Sequence, residues 1–477
     1  MTQKIENVYS YKVRWWLLLI QLVLLYIPSF QFFSMPTDNG SIPASACYFF
    51  SLVFAPWLMV NLRSIRLPHW SVLGLFVIVY VVALLCWPQY GLSKSILHWL
   101  FGLYLITIVI NTGTNFSREA WLKLLETGAC IFLVMHVLFL IMNHATVTWL
   151  LQGYYTGELM GTNAAKLPSL TRGGRNLDAT WLALGGFFVT GKKKALYVTY
   201  CILFAFLGSS RVGLIATAML VIWTLIYDRQ YCLARKRIKW YALYAVLMAA
   251  LLLWSGLAQA GLGRFSALLP ARTLSATTQS NALPQNSEEQ NLEANQSEKT
   301  KTEETVPEET VPAPQNNAGE RVTEFLSGRA AIWSHFPQMF YDNPFGYGVG
   351  NAVRVMRQDY GFTGYEDVMH NVLLQITLDE GVLGGLWFLG LCAAFLYSQR
   401  KEWFRAPVAC YFLTYLVLSL VQFHGGEALM QFTMAVFLIE RKSWFVIPWP
   451  QKKIRESGED EDEAPESIAD HSRMPAK

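Results

Sequence analysis

Residues 370–385 read His370-Asn371-Val372-Leu373-Leu374-Gln375-Ile376-Thr377-Leu378-Asp379-Glu380-Gly381-Val382-Leu383-Gly384-Gly385. An apolar helix starts here with a histidine at its mouth. Asn371 and Gln375 are spaced i, i+4 and share a face, and Asp379 and Glu380 lie a turn further in. Aliphatic residues are less costly at that depth, so polar ones mark a functional site by default. Upstream, Ser327-Gly328-Arg329 opens a helix carrying His335 and, on one side, Ile332, Trp333, Phe336, Met339 and Phe340. Ser327 is a cap residue and Pro337 a kink. The helix should stop before Pro344. A glycine-rich turn follows, Asn343-Pro344-Phe345-Gly346-Tyr347-Gly348-Val349-Gly350-Asn351. A polar loop thus meets a membrane helix.

The rest of the chain sets that helix in an all-α polytopic membrane protein. Of 477 residues, 53% are hydrophobic and only 15% charged, against about 25% charged in soluble domains. Seventeen Trp and twenty-nine Phe suit interfacial belts as well as membrane interior. A span needs roughly 20 apolar residues, fewer at a pinch, and about twelve candidates meet that rule. They lie near 15–33, 44–60, 70–87, 93–111, 121–142, 177–190, 195–208, 212–227, 240–259, 371–397, 406–422 and 427–447. The sixth and seventh are short enough to be one re-entrant pair.

Loop charge orients them. With Lys4, Lys12 and Arg14 in the cytoplasm, every second loop is basic: Arg63 and Arg66, Arg118 and Lys123, Lys192 to Lys194, Arg229 to Lys239, Arg400 to Arg405, Arg441 and Lys442. Both termini are then cytoplasmic, and a large periplasmic loop, 260–370, follows the ninth span. Within it, 275–318 is polar, acidic and expected to be disordered, and 319–370 is an ordered part of the site. After spans ten to twelve (371–447), the tail 448–477 turns from basic to acidic and is expected to be disordered. The net charge of +4 is a loop asymmetry of a membrane protein, not a nucleic-acid footprint. The seven cysteines show no metal-site spacing, and neither disulfides nor zinc is expected.

Three arginine positions stand beside apolar segments on the outer side: Arg172 and Arg175 in Thr171-Arg172-Gly173-Gly174-Arg175, and Arg211 in Gly208-Ser209-Ser210-Arg211. Such an arginine is a functional candidate unless it merely snorkels. Arg329 joins them. His424-Gly425-Gly426-Glu427 is either an acid–base pair or a tight turn between spans. There is no phosphate loop, no nucleophile elbow and no outer Asp-x-Asp; Glu366-Asp367 is the nearest outer acidic pair. No metal or other cofactor is expected. Outside the inner membrane there is no nucleotide supply, so an activated sugar must arrive on a lipid diphosphate. Arginines neutralise such a leaving group without metal, and a histidine takes the proton of an acceptor hydroxyl.

The pattern Gly328-Arg329, Trp333, Asn343-Pro344, Gly346, Gly348, Gly350-Asn351, His370-Asn371, Leu374-Gln375, Glu380-Gly381 and Gly384, with Gly208-Ser209-Ser210-Arg211, resembles the O-antigen ligase and polymerase superfamily. The resemblance covers most of 170–390. It implies a membrane glycosyltransferase of the GT-C type in the bacterial inner membrane, metal-independent and inverting, with a periplasmic active site. The implied donor is a glycan on undecaprenyl diphosphate. The acceptor is lipid A–core in the ligase branch, another repeat unit in the polymerase branch, or a protein in a third. Carried over, His370 is the base or acceptor-site histidine and Arg211 contacts the diphosphate; Arg329 or Arg172 takes the second arginine role. Asn351, Asn371, Gln375, Glu380, Arg172 and Arg175 complete the expected substrate contacts. The ligase is the first reading. A transporter for the same lipid-linked glycan is the rival, and it should show internal repeats and broken helices near mid-membrane.

Overall fold

The structure, a computed structural model, describes residues 2–27, 31–37, 40–45, 49–54, 64–93, 95–171, 174–227, 235–263, 329–363, 368–400, 406–423 and 427–448. Arg172, Ser327-Gly328, the insert 275–318, Glu366-Asp367, His424-Gly425-Gly426 and the tail beyond Pro448 lie outside these residues.

The protein is mostly helical. Helices α1 (Thr2–Tyr26), α2 (Trp70–Tyr90), α3 (Ser95–Gly113), α4 (Arg118–Met142) and α5 (His144–Thr156) are followed by α6 (Gly174–Gly185), α7 (Lys192–Leu207), α8 (Arg211–Tyr227), α9 (Arg235–Trp254) and α10 (Leu257–Gly263). Three short helices then bracket the glycine-rich turn: α11 (Arg329–Ser334), α12 (Phe336–Asp342) and α13 (Ala352–Asp359). Last come α14 (Val372–Gln399), α15 (Pro407–Ser419) and α16 (Ala428–Glu440).

Among the described residues, α2, α3, α4 and α14 are long and apolar enough to cross a membrane, and the α9–α10 pair, bent by 83°, makes a fifth if counted as one span. This falls short of the twelve expected. Several apolar runs fold as shorter helices: α6 has 12 residues, α15 and α16 have 13 each. Helix α6 is a core helix, buried at every position from Asp178 to Gly185. It therefore need not match the bilayer thickness that a lipid-facing helix must. The lipid-facing character falls to the long helices, where Leu84, Leu85, Leu138, Ile141, Leu383 and Leu386 are exposed.

The all-α expectation needs one correction. Strands β1 (Gln31–Thr37) and β2 (Gly40–Ser45) form an antiparallel hairpin, and β3 (Ser64–Pro68) pairs antiparallel with β4 (Trp444–Pro448). Hydropathy alone extended the last span to 447, but Trp444, Phe445, Val446 and Ile447 are strand-favouring residues, and α16 has ended at Glu440.

The β3–β4 pair ties together the loops bearing Arg66 and Arg441. The same end carries the Arg118–Glu440 ion pair (3.3 Å), the Arg441–Gln399 hydrogen bond (2.7 Å) and the Thr190–Glu126 contact (3.2 Å). These contacts bring the segments bearing Arg66, Arg118, Thr190, Gln399 and Arg441 to one end of the bundle. The glycine-rich turn, the start of α14, the end of α15 and the start of α8 gather at the other. Between them runs a core of buried apolar side chains, including Trp121, Phe132, Phe423 and Phe432, with Tyr26 stacked on Phe132 at 4.7 Å. A second, smaller core holds Ile332, Met339, Tyr347, Val353, Met356, Phe362 and Met369 against Leu378 of α14.

Candidate active site at the loop–helix junction

Helix α14 is broken at Gly381, whose φ of +72° and ψ of −171° no helix accommodates. The break strands the carbonyls of Leu378 and Asp379 and the N–H of Val382. The glycine-rich turn inserts to meet them: Tyr347 N–H donates to Leu378 O at 2.9 Å, Gly348 N–H to Asp379 O at 2.8 Å, and Val382 N–H to Pro344 O at 2.8 Å. Non-helical backbone at membrane depth survives only with such internal partners. The two backbones nearly touch. A Cβ on Gly346 (φ +95°) would lie 2.5 Å from Gly381 N, and one on Gly381 2.5 Å from Phe345 C and O.

Polar side chains hold the inserted turn. Asn343 Nδ2 donates to Gly346 O at 2.7 Å. Asn351, 2% exposed, donates to Tyr347 O at 3.0 Å and to Gly91 O, beyond α2, at 3.1 Å. Gln375 Nε2 donates to Asp379 Oδ2 at 2.6 Å, and its Oε1 accepts from Met369 N–H at 2.8 Å. Asp379 Oδ1 accepts from Ala352 N–H at 3.2 Å. Asn351 and Gln375, expected as substrate contacts, are thus bonded into the scaffold here. Glu380 is 2% exposed, and neither of its carboxyl oxygens meets a hydrogen-bond partner among the described residues. On the solvent side of the turn, Tyr347 OH donates to Met339 O (2.9 Å), Tyr360 OH lies 3.2 Å from it, and Tyr360 OH donates to Asp342 (2.8 Å). Burial raises both phenols above the usual tyrosine value, so they stay protonated as donors at neutral pH.

His370 stands just ahead of α14 rather than within it. Asn371 is the N-cap: its Oδ1 accepts from Leu374 N–H at 3.1 Å, and its Nδ2 donates to Leu420 O at 3.1 Å. On the other side Trp333 Nε1 donates to Met369 O at 2.7 Å. His370, half-buried between these fixed points, takes a left-handed backbone with φ +54°. Outside glycine that conformation costs about 1–2 kcal/mol, and such strain concentrates at functional sites. The expected single helix before the turn is two, α11 and α12, parted at His335, and Pro337 sits in the first turn of the second.

The arginines approach from three elements. Arg329 Nη2 donates to Gln422 Oε1 at 3.1 Å, so Arg329 and Asn371 both rest on the end of α15. Next to Gln422, Phe423 packs on Trp181 of α6 with centroids 5.1 Å apart and stacks on Tyr415 at 4.5 Å. The first turn of α6 carries Arg175, whose Cβ and Cδ lie 3.5 and 3.6 Å from where a Cβ on Gly208 would sit. Gly208 leads into Ser209, with φ +43°, then Ser210, whose Oγ accepts from Gly213 N–H at 2.9 Å, then Arg211 at the start of α8. Arg175, Arg211, Arg329 and His370 therefore belong to one end of the bundle, each half-buried.

One network escaped the sequence reading. Asp178, fully buried, accepts from Ser169 Oγ (3.0 Å), Leu170 N–H (2.9 Å), Thr171 N–H (3.0 Å) and Thr171 Oγ1 (2.5 Å), and lies 3.3 Å from His136 Nε2. His136 Nδ1 in turn meets Tyr200 OH at 2.6 Å. Asp178 thus fixes the backbone that runs directly into Arg172 and, one turn earlier on its own helix, Arg175. The available signal was an Asp and a His inside apolar runs, each a functional candidate by default.

Residues 196–389 match the family model described as O-antigen ligase, a match that covers less than half of the chain. The match takes in Arg211, Arg329, Asn351, His370, Asn371, Gln375 and Glu380 and leaves Arg172 and Arg175 ahead of it. No curated protein matches the chain.

Proposed function

We propose that this protein is an O-antigen ligase of the inner membrane, moving a glycan from undecaprenyl diphosphate to a hydroxyl of lipid A–core at the periplasmic face. The reading rests above all on the gathering of His370, Arg329, Arg175 and Arg211 at the bundle end opposite the basic loops. By the positive-inside rule that end faces the periplasm.

In the proposed reaction the acceptor hydroxyl oxygen attacks the anomeric carbon of the donor sugar. His370 takes the hydroxyl proton as the new glycosidic bond forms. The bond from the anomeric carbon to the phosphate oxygen breaks, and its electron pair leaves with undecaprenyl diphosphate. Arg211 and Arg329, with Arg172 and Arg175, neutralise that charge. Attack opposite the leaving group inverts the anomeric centre, and no metal is invoked. The apolar faces of α2, α4 and α14 keep the lipid carrier in the bilayer.

A deletion strain analysed by lipopolysaccharide gel tests the assignment. A ligase leaves core without capped chains and lipid-linked polymer accumulating. Core carrying a single repeat means a polymerase, and unchanged lipopolysaccharide means a protein or other acceptor. His370→Ala separates enzyme from transporter: an enzyme retains donor binding and loses product, whereas a carrier keeps working.

A further inference from the structure

Helices α2, α3, α14, α15 and α16 border an apolar pocket that is partly open to the surroundings. Trp99, Ile376, Tyr415 and Gln431 line it, each about one turn from the site end of its helix. Val72 and Phe395 line it near the end that holds the basic loops. The space is thus elongated along the bundle and lined by aliphatic and aromatic side chains, a shape that fits a hydrocarbon chain.

One wall residue breaks that pattern. Gln431 is 3% exposed, and neither its Oε1 nor its Nε2 meets a hydrogen-bond partner among the described residues. Its amide packs against Gly102 of α3, where a Cβ would collide with it. The nearby Tyr415 hydroxyl does not help, since it donates to Glu427 Oε2 at 2.6 Å. An unmatched buried amide costs about 1–3 kcal/mol, and purely apolar walls give it nothing to bond. It lies about one turn, roughly 6 Å, inside the site end of α16.

From this geometry we infer that the cavity holds the acyl chain of a bilayer phospholipid, its ester carbonyl accepting a hydrogen bond from Gln431 Nε2. A polyprenyl chain fits less well, because it offers no oxygen at that depth and would leave the amide unmatched. The site is separate from the arginine and histidine groups of the proposed reaction, and its occupancy does not depend on that reaction.

The test uses the full chain, purified in mild detergent and washed free of loosely held lipid, with bound phospholipid measured by mass spectrometry. Wild type should retain about one phospholipid per chain. Gln431→Leu should retain about fivefold less, the loss of one net hydrogen bond. Leu391→Trp fills the cavity without touching the amide and should retain none. In vesicles of phosphatidylethanolamine brominated on one acyl chain, Trp99 should be quenched, read as the difference between wild type and Trp99→Phe, and Leu391→Trp should abolish that quenching. Equal retention in all three proteins, or retention of polyprenyl phosphate in place of phospholipid, overturns the inference. A donor-free readout keeps its failure distinct from failure of the ligase assignment.

Discussion

The backbones of Gly346 and Gly381 lie against each other, close enough that a Cβ on Gly346 would sit 2.5 Å from Gly381 N and 2.6 Å from Asp379 O. Neither obstacle is a side chain that could swing away. Gly346→Ala should therefore expel the turn from the α14 break and destabilise the protein by about 2 kcal/mol or more. Gly361→Ala is the control. Gly361 also has positive φ, but no atom lies within 4 Å of its added Cβ, so only the conformational cost of about 1 kcal/mol remains. Thermal unfolding in detergent compares the two, and equal shifts would refute the inserted-turn account.

Trp333 holds His370 indirectly, through Met369 O at 2.7 Å. Trp333→Phe keeps most of the ring packing and removes one hydrogen bond, about 1 kcal/mol of stability. Turnover should drop about tenfold with little change in donor KM, because His370, the proposed base, loses its position while the substrate keeps its binding site. A proportional loss of folded protein instead would assign Trp333 to packing alone.

Gln422 is the acceptor for Arg329. Gln422→Leu should raise donor KM several-fold, as the guanidinium loses the direction that a diphosphate clamp requires. The double variant with Arg329→Ala should be little worse than Arg329→Ala alone, since both changes break one interaction. Additive losses in that cycle would mean the two residues act separately.

Asp178 replaced by Asn keeps its shape and one acceptor oxygen, so of the N–H groups of Leu170 and Thr171, which bond separate carboxylate oxygens, one would face an NH2 donor instead. Leaving such groups buried and unmatched costs about 1–3 kcal/mol. Donor affinity should fall further than stability predicts, because Arg175, proposed as a donor contact, lies one turn away on the same helix. Isothermal binding of donor to the folded variant separates the effects.

Much was legible from residue order. Arg211 beside Gly208-Ser209-Ser210, and His370 ahead of an apolar run, stood out because an ionisable group at a membrane boundary needs a reason. Arg66, Arg118 and Arg441, grouped by the charge pattern, lie at one end of the bundle. His136 and Asp178 passed unnoticed because their meaning lies in each other, 42 residues apart and 3.3 Å from contact atom to contact atom. Hydropathy counts apolar residues without telling a lipid-facing helix from a buried one such as α6, so the described residues show four or five long apolar spans and do not confirm twelve.

The order of residues by itself determined that this is a membrane chain with a glycine-rich turn, a histidine at a helix mouth and arginines beside apolar runs. Composition and periodicity are sufficient for that, since the bilayer acts on each segment separately. Only the tertiary structure decided that the glycine turn repairs the break at Gly381, that Arg329 and Asn371 share the end of α15, and that Gln375 and Asn351 serve the scaffold. Those are pairings between groups far apart in sequence, and backbone hydrogen bonds form wherever a partner comes within about 3 Å, which no local pattern can announce.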